Sequence, residues 1–527
     1  MTAKILVCDP VAEDGIKVLR EFGAQVDVRL GLPPEELISA IGEYDAVIVR
    51  SETKITAEAI EAGRRLQIIG RAGIGVDNIN VEAASQRGIL VVNAPTGNTI
   101  SAAEHAIALM LALARNIPQA NASLKGGEWD RKRFMGVEVR GKTLGIIGLG
   151  QVGSEVARRG RGLEMRVIGY DPYVPEERSR VLGIEMLSLD DVLRQSDFVT
   201  VHTTLNDSTR GLIGAEQLAM MKPTARIINT ARGAIIDEDQ LYEALEGDRI
   251  AGAAVDVFSK EPALENKLLK SKRIVVTPHL GASTTEAQER VSVDVAEQIV
   301  AHFKGEPVRY AVNAPLIPPE SLSFLAPYMD VAVKTGLLAQ QLCEGQVDNI
   351  QIEYAGEIGQ HDMTPLKAAV IRGLLSSVSE EQVNIVNADL IAQRRGLRIV
   401  EQKGPSHEIY SNLITVRLTT KAGATTVSGT LAHDGPHIVL VNDYWVDIPP
   451  SEGYLLVCEN QDRPGMIGAV GTIVGSFDVN VSFMNVGRHE RRGRALMVLM
   501  LDGALTADQL KQIRQVPDMY AARLVRL

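Results

Sequence analysis

From its first residues the chain alternates short apolar runs with stretches whose apolar positions recur every three or four residues. Residues 4–8, 25–29, 44–49 and 66–70 read as strands, and 11–22, 34–41 and 56–62 as helices. Repeated βα units predict a parallel, doubly wound sheet, in which ligands meet the carboxyl ends of the strands. Arg50 and Arg71 fall at two such ends, the second in a Gly-rich turn. Together they suggest an anion site, with ordinary surface arginines as the alternative. Residues 101–117 are apolar on nearly every face. They predict a helix begun by Ser101 and buried between domains or between subunits, on which His105 reads as a packed core histidine.

The alternation resumes with strands at 143–147, 166–170, 198–202, 227–230, 251–257 and 274–277. Helices are expected at 190–195, at 237–245 and at 283–303, the last capped by Ser283 or Thr284. Proline-rich breaks at 315–319 and 449–451 mark boundaries. Between them the chain mixes helices with strands such as 349–354 and 409–419 and shows no chemical motif. The last 75 residues read β-α-β-β-α-β, the ferredoxin-like order, and predict a binding or regulatory module. The expected fold class is therefore α/β, with an α+β segment and a ferredoxin-like segment at the carboxyl end.

Gly148, Gly150 and Gly153 follow the strand at 143–147 in G-x-G-x-x-G spacing, and Val156-Ala157 open a helical pattern. Asp171 ends the next strand. A lone glycine triplet is weak, but strand, glycines, helix and a downstream acid together form a dinucleotide-binding fingerprint. Asp171 would hold the ribose hydroxyls and repel a 2′-phosphate, and Pro172-Tyr173 supply no compensating cation. NAD is expected over NADP.

Arg232, Glu261 and His279 follow three successive strands downstream of that fingerprint. Hydride removal from a carbinol carbon needs a base for the hydroxyl proton, and histidine titrates in the right range. A carboxylate can fix its tautomer, and an arginine can grip a substrate carboxylate. The set reads as His279 acid/base, Glu261 orienting partner and Arg232 anchor. A capped-helix histidine, a turn glutamate and a surface arginine are the bland alternatives.

Composition narrows the picture. Length predicts three or four domains. Net charge is −11 and aromatics make up 4%, which argues against a nucleic-acid partner. A single basic cluster, Arg131-Lys132-Arg133, stands out. No apolar run reaches membrane-span length, and the first strand begins within four residues, leaving no signal peptide. Cys8, Cys343 and Cys458 show no metal spacing. A cytoplasmic protein with no membrane partner and no metal is expected.

The order GLGQVG, NTARGAIIDEDQL, AGAAVDVFSKEP, TPHLGAST, with RAGIGVDNIN and NAPTGNTISAAEHAIALML before it, resembles the D-isomer-specific 2-hydroxyacid dehydrogenases. The basic WDRKRFMGVEVRGKTLGIIG and two extra carboxyl-terminal segments are similar to the long form of that family, in which an intervening domain precedes an ACT domain. The resemblance implies two Rossmann-like domains: a discontinuous substrate domain (1–96 and 283–315) and an NAD domain (97–282). Intervening (316–450) and ACT (451–527) domains follow. It implies oxidation of 3-phospho-D-glycerate with NAD to 3-phosphohydroxypyruvate, the first step of L-serine biosynthesis, in a homo-oligomer, a dimer or tetramer. Cofactor contacts would fall on Gln151, Val152, Asp171, Thr203, Thr230, Ala231, Arg232, Asp256, His279, Gly281 and Ala282, beside the glycines. Substrate contacts would fall on Arg50, Arg71, Asn98, Arg131 and Arg133, the last two reaching toward the other subunit's site. Asn460, Asp462 and Asn480 would meet an effector, L-serine. Ile74 stands where many members carry Thr, removing a hydroxyl from that turn. LVNDYWVDIPP offers no basic residues for the anion site of some relatives. The competing functions are a glyoxylate or hydroxypyruvate reductase and a non-enzymatic NAD-sensing corepressor. The basic loop and terminal domains argue against the reductase, and the ACT-like segment, with no partner-binding cleft or tail visible, against the corepressor.

Overall fold

Five parallel strands open the fold: β1 (Lys4–Val7), β2 (Gln25–Val28), β3 (Ala46–Val49), β4 (Ile68–Arg71) and β5 (Leu90–Asn93), in the order β2-β1-β3-β4-β5. The computed structural model describes residues 2–174, 183–306, 308–315, 319–376, 383–450 and 453–527, so the breaks expected at 315–319 and 449–451 lie partly outside the described residues. The inner strands are nearly all Val, Ile and Ala because helices cover both faces of a parallel sheet. One covering helix comes from far along the chain. Val291, Val295 and Ile299 of Thr285–Lys304 pack on Ile5, Val7, Ile48, Ile68 and Val92. The approach is close: a Cβ at Gly15 would lie 2.7 Å from the Ser292 carbonyl, and one at Gly70 2.4 Å from Val295. Thr284 is the cap, its hydroxyl accepting from Ala287 N at 3.2 Å.

The second sheet holds β6 (Thr143–Ile147), β7 (Arg166–Tyr170), β8 (Glu185–Met186), β9 (Phe198–Val201), β10 (Arg226–Asn229), β11 (Gly252–Val255) and β12 (Ile274–Val276). All pairings are parallel, in the order β12-β11-β10-β9-β6-β7-β8. The order reverses between β6 and β9, where such sheets bind ligands beyond the strand ends.

The apolar helix differs from its sequence expectation. It runs Thr99–Ala114 and stops at Asn116, whose φ is +53°, before a second helix Ile117–Lys125 bent 61° away. Only one stripe enters the core: Ala103, Ala106, Met110 and Leu113 meet Leu144, Ile146, Ile228 and Ala254. A helix lying on a sheet touches it along one side, so Ile100, Ile117 and Leu124 stay exposed within a single chain. Among the described residues no single helix is long and apolar enough to cross a membrane.

The third sheet is mixed: β13 (Val347–Gly356), β14 (Arg398–Gly404), β15 (Asn412–Thr420), β16 (Gly423–Ala432), β17 (Gly435–Val441) and β18 (Tyr444–Ile448), ordered β14-β13-β15-β16-β17-β18. Only β13–β14 is parallel. The strand expected from 409 starts at Asn412; Ile409 and Tyr410 lie before it. The fourth sheet, β19 (Tyr454–Gln461), β20 (Val481–Arg488), β21 (Arg494–Leu501) and β22 (Met519–Arg526), is antiparallel in the order β20-β21-β19-β22. Helices Met466–Ser476 and Ala507–Arg514 cover one face.

Two features tie this last unit to the chain before it. Its other face is not independent: Leu455, Val457, Leu496, Val498 and Val525 share one core with Tyr328, Ile352, Val427 and Ile448. Its edges are not fully open. The Gln341 side chain donates to Arg526 O at 2.7 Å and accepts from Arg526 N at 3.0 Å, closing part of β22. On the other edge a Cβ at Gly487 would come within 2.6 Å of the Trp445 carbonyl.

Candidate active site

At the switch point, Gly148 has φ +94°, and a Cβ there would lie 2.6 Å from the His202 carbonyl. A Cβ at Gly153 would lie 2.0 Å from Gly148 O, so that glycine seats the helix against the strand. Gly150 faces open space instead. It precedes helix Gln151–Gly162 with no side-chain cap, leaving first-turn N–H groups available to an anion. Asp171 accepts from Leu149 N at 2.8 Å and Tyr173 N at 2.9 Å, which fixes its carboxylate beside that turn. The hydroxyls of Thr203 and Thr230, after β9 and β10, are buried without a partner. Buried polar atoms without partners are costly unless a ligand satisfies them. An open glycine turn, free N–H groups, a poised acid and two orphaned hydroxyls fit a dinucleotide. Gln151 accepts from the Thr99 hydroxyl at 3.0 Å, and Val152 packs beside the core of that sheet. Ala231 N donates to Asn229 Oδ1 at 3.1 Å.

After β11 and β12 the chain builds a carboxylate–imidazole pair. His279 Nδ1 lies 2.8 Å from Glu261 Oε2, and Glu261 Oε1 accepts from Phe258 N at 3.0 Å. Burial pushes the Glu261 carboxyl up, but the bonds from His279 and Phe258 outweigh it and hold it below the usual range. An ionised Glu261 places the proton on Nδ1 and leaves Nε2 free to exchange one. His279 has φ +59°, a conformation strained for a side-chain-bearing residue. Asp256 holds that turn. Fully buried, it accepts from Leu280 N at 2.7 Å, Gly281 N at 2.9 Å and the Thr277 hydroxyl at 2.6 Å. Ala282 O accepts from Gln288 Nε2 at 2.8 Å. His105 is not simply packed in the core: its Nε2 is 3.2 Å from Asp256 Oδ1 and 3.1 Å from the Thr277 hydroxyl. Burial pushes Asp256 up, but His105, Thr277 and Leu280 N outweigh it and hold it low.

A cationic group forms where the end of β4 meets Arg232. Arg71 is partly buried, with its Nε fully enclosed and unpartnered, and desolvation, then repulsion from Arg232, pulls its guanidinium down to about 10. Arg50 hydrogen-bonds through its backbone to Asp9 at 2.6 Å. Asn98 Oδ1 is buried and unpartnered. Arg232 crosses between the sheets: Nε lies 3.2 Å from Asp77, and Nη1 donates to Ala231 O at 2.7 Å. A Cβ at Gly75 would lie 2.0 Å from Arg232 Nη2, so a larger residue there would push that guanidinium aside. Crowded cations around the unpartnered Arg71 Nε describe an anion site.

Sequence reasoning missed Asp77, His105 and Asp9. An acid four positions after Gly73, a polar residue on the buried stripe of an apolar helix, and an acid ending the first strand were the available signals. It also missed a second basic cluster: Arg488, Arg491, Arg492 and Arg494 surround the β20–β21 turn.

Other expected site residues stay apart. Among the described residues, the polar and ring contacts of the Arg131 and Arg133 side chains are local, to Trp129, Glu128 and Phe134. Asp462 is taken by Arg488 Nη1 at 2.7 Å and Arg492 N at 3.2 Å. Asn480 donates to Asp502 at 2.8 Å, at the opposite end of β20. Asn460 is buried with Oδ1 unpartnered. One chain does not bring Asn480 to Asp462. Burial pushes the Cys8 and Cys458 thiols up to about 12, so neither is a nucleophile.

Residues 107–281 match the family model for the NAD binding domain of D-isomer specific 2-hydroxyacid dehydrogenases. Residues 324–442 match the D-3-phosphoglycerate dehydrogenase intervening domain, and 454–518 the ACT domain. The chain is 45% identical to the D-3-phosphoglycerate dehydrogenase of Synechocystis sp., covering 100% of this chain and 95% of that one. It is 44% identical to that of Methanocaldococcus jannaschii, covering 99% and 100%. For the Bacillus subtilis enzyme the identity is 40%, covering 99% of each. Among solved structures, the TT0316 protein of Thermus thermophilus superposes with TM-score 0.55 at 33% identity, covering 59% of this chain and 99% of that one. Aquifex aeolicus D-lactate dehydrogenase complexed with NAD and lactic acid gives 0.53 at 26%, covering 59% and 99%.

Proposed function

The chain belongs to the D-isomer-specific 2-hydroxyacid dehydrogenase family, in its D-3-phosphoglycerate dehydrogenase branch, and on that premise we propose that it oxidises 3-phospho-D-glycerate to 3-phosphohydroxypyruvate. The observation that carries this reading is the Glu261–His279 pair, in a chain whose first sheet also carries Arg71 with a buried, unpartnered Nε beside Arg232. A bound NAD would supply the hydride acceptor for C2. The chain's own residues do the rest. Arg232 grips the substrate carboxylate, and Arg50, Arg71 and Asn98 share the carboxylate and phosphate, relieving the repulsion among the guanidinium groups. His279 Nε2 takes the C2 hydroxyl proton, and Glu261 stabilises the imidazolium formed at Nδ1. Asp256 holds the turn that aims His279. Gly148 through Gly153, Asp171, Thr203, Thr230 and Ala231 hold the cofactor.

The test is NAD reduction with a panel of D-2-hydroxy acids, with and without a 3-phosphate. Phosphoglycerate should have the highest kcat/KM, and a preference for glycerate or another unphosphorylated acid would sink the assignment.

We further propose a cytoplasmic homo-oligomer, a dimer or tetramer, answering to L-serine. Asn480 and Asp462 sit roughly 25 Å apart along β20 at about 3.3 Å per residue, so a second copy must supply one of them. The loop carrying Arg131 and Arg133 likewise serves the neighbour's substrate phosphate. Mixing His279→Ala with Arg131→Gln chains should then restore part of the activity. No recovery in verified hybrids would remove the shared site while leaving the reaction intact.

A further inference from the structure

The third and fourth sheets meet face to face, and the alternation along β19 decides what lies between them. Leu455 and Val457 enter the core shared with the third sheet, while Leu456 and Cys458 pack under the helices. Glu459 therefore points to the same side as Val457. There the apolar packing ends, leaving a cavity of about 160 Å³ between the end of helix Pro319–Leu342, the β15–β16 turn and the last sheet. Its floor is apolar, with Leu342, Val457 and Leu496, and its charged groups are Glu344, Glu459 and Arg523.

Those charges do not balance. Arg523 pairs with Glu344 and donates to Leu342 O at 2.6 Å. The Glu459 side chain, only partly exposed, has no hydrogen-bond or ion-pair partner among the described residues. A half-buried carboxylate without a counter-ion is costly, so the cavity calls for a cation. An ammonium fits better than a metal, because no cluster of three metal-ligating side chains exists among the described residues. Arg523 has five N–H donors and uses Nη1 and Nη2 once each, leaving donors for a carboxylate. At about 30 Å³ per water the space holds roughly five waters, too little for a nucleotide.

We propose that this cavity binds a small α-amino acid with an apolar side chain: ammonium on Glu459, carboxylate on Arg523, side chain on the Leu342–Val457–Leu496 floor. It is separate from the turn at Asp462, which lies beyond the end of β19. The occupant would touch both sheets and so tie the last unit to the one before it.

Calorimetric titration of the full-length chain tests this with L-valine and L-leucine, and with isobutylamine and isovalerate as single-charge controls. One of the amino acids should bind, and both controls should bind more weakly. Glu459→Gln should weaken the amino acid by roughly ten- to a hundredfold, as for a lost hydrogen bond to a charged group, with the melting temperature kept. Asp462→Asn should leave it unchanged. Ala521→Leu, which fills the cavity from β22, should abolish it. The proposal fails if neither amino acid binds the wild-type chain at millimolar concentration. It also fails if folded Glu459→Gln and Ala521→Leu bind as wild type does, or if Asp462→Asn removes the binding that Glu459→Gln keeps.

Discussion

The reaction cleft and the effector turn of the last domain treat their polar groups in opposite ways. In the cleft Arg71 Nε, Asn98 Oδ1 and the hydroxyls of Thr203 and Thr230 are buried and unpartnered, while Glu261 and Asp256 fix the His279 turn. The single chain builds the catalytic pair and the cofactor turn of that site and leaves polar atoms there open to a ligand. In the effector turn Asp462 is spent on Arg488 and Asn480 on Asp502, at opposite ends of one strand. The first region is preorganised for its ligand. The second, on the reading proposed above, would have to exchange internal bonds and gain a second chain before binding an effector.

The largest effect that would separate the two belongs to His279. His279→Ala should lower kcat by roughly 10²–10⁴, the range of lost general acid–base catalysis, with NAD affinity unchanged by fluorescence titration. Near wild-type turnover would mean that the cleft's apparent base is only a structural turn residue. Loss of NAD binding as well would mean that the cleft is not assembled in independent parts.

Next in size is Asp171. Its carboxylate is already fixed by two backbone N–H groups. Asp171→Ala should weaken NAD by roughly ten- to a hundredfold, as for a lost hydrogen bond to a charged group, and narrow the gap to NADP. Equal KM values for the two cofactors in the unmutated enzyme would remove this acid from cofactor choice.

The smallest effect is expected in the effector turn. Arg488 is about half exposed, and exposed pairs contribute about 0.2–1 kcal/mol. Freeing Asp462 with Arg488→Gln should therefore tighten L-serine by no more than about fivefold, read as a lower concentration for half-inhibition. Weaker inhibition would show that Arg488 supports the ligand rather than competing with it, and the contrast with the cleft would narrow.

Much of this was written in local sequence. The βα alternation, the glycine fingerprint with Asp171, and the ferredoxin-like order of the last unit are periodicities and turn signals carried within a few residues of one another. The order Arg232, Glu261, His279 was legible because each follows a strand of one sheet. The stop at Asn116 was not, because an apolar helix and two shorter ones in sequence share the same periodicity.

The amino-acid sequence by itself determined which elements form and which chemistry they carry. The tertiary structure decided which side chains answer one another: Asp77 with Arg232 across 155 positions, His105 with the Asp256–Thr277 pair across more than 150, and Gln341 with the last strand across 185. It also decided that the last two sheets share one core and leave Glu459 facing a cavity. The physical reason is that periodicity and turn chemistry act over one or two turns of chain, whereas a buried charge is satisfied by whatever the folded layers bring beside it.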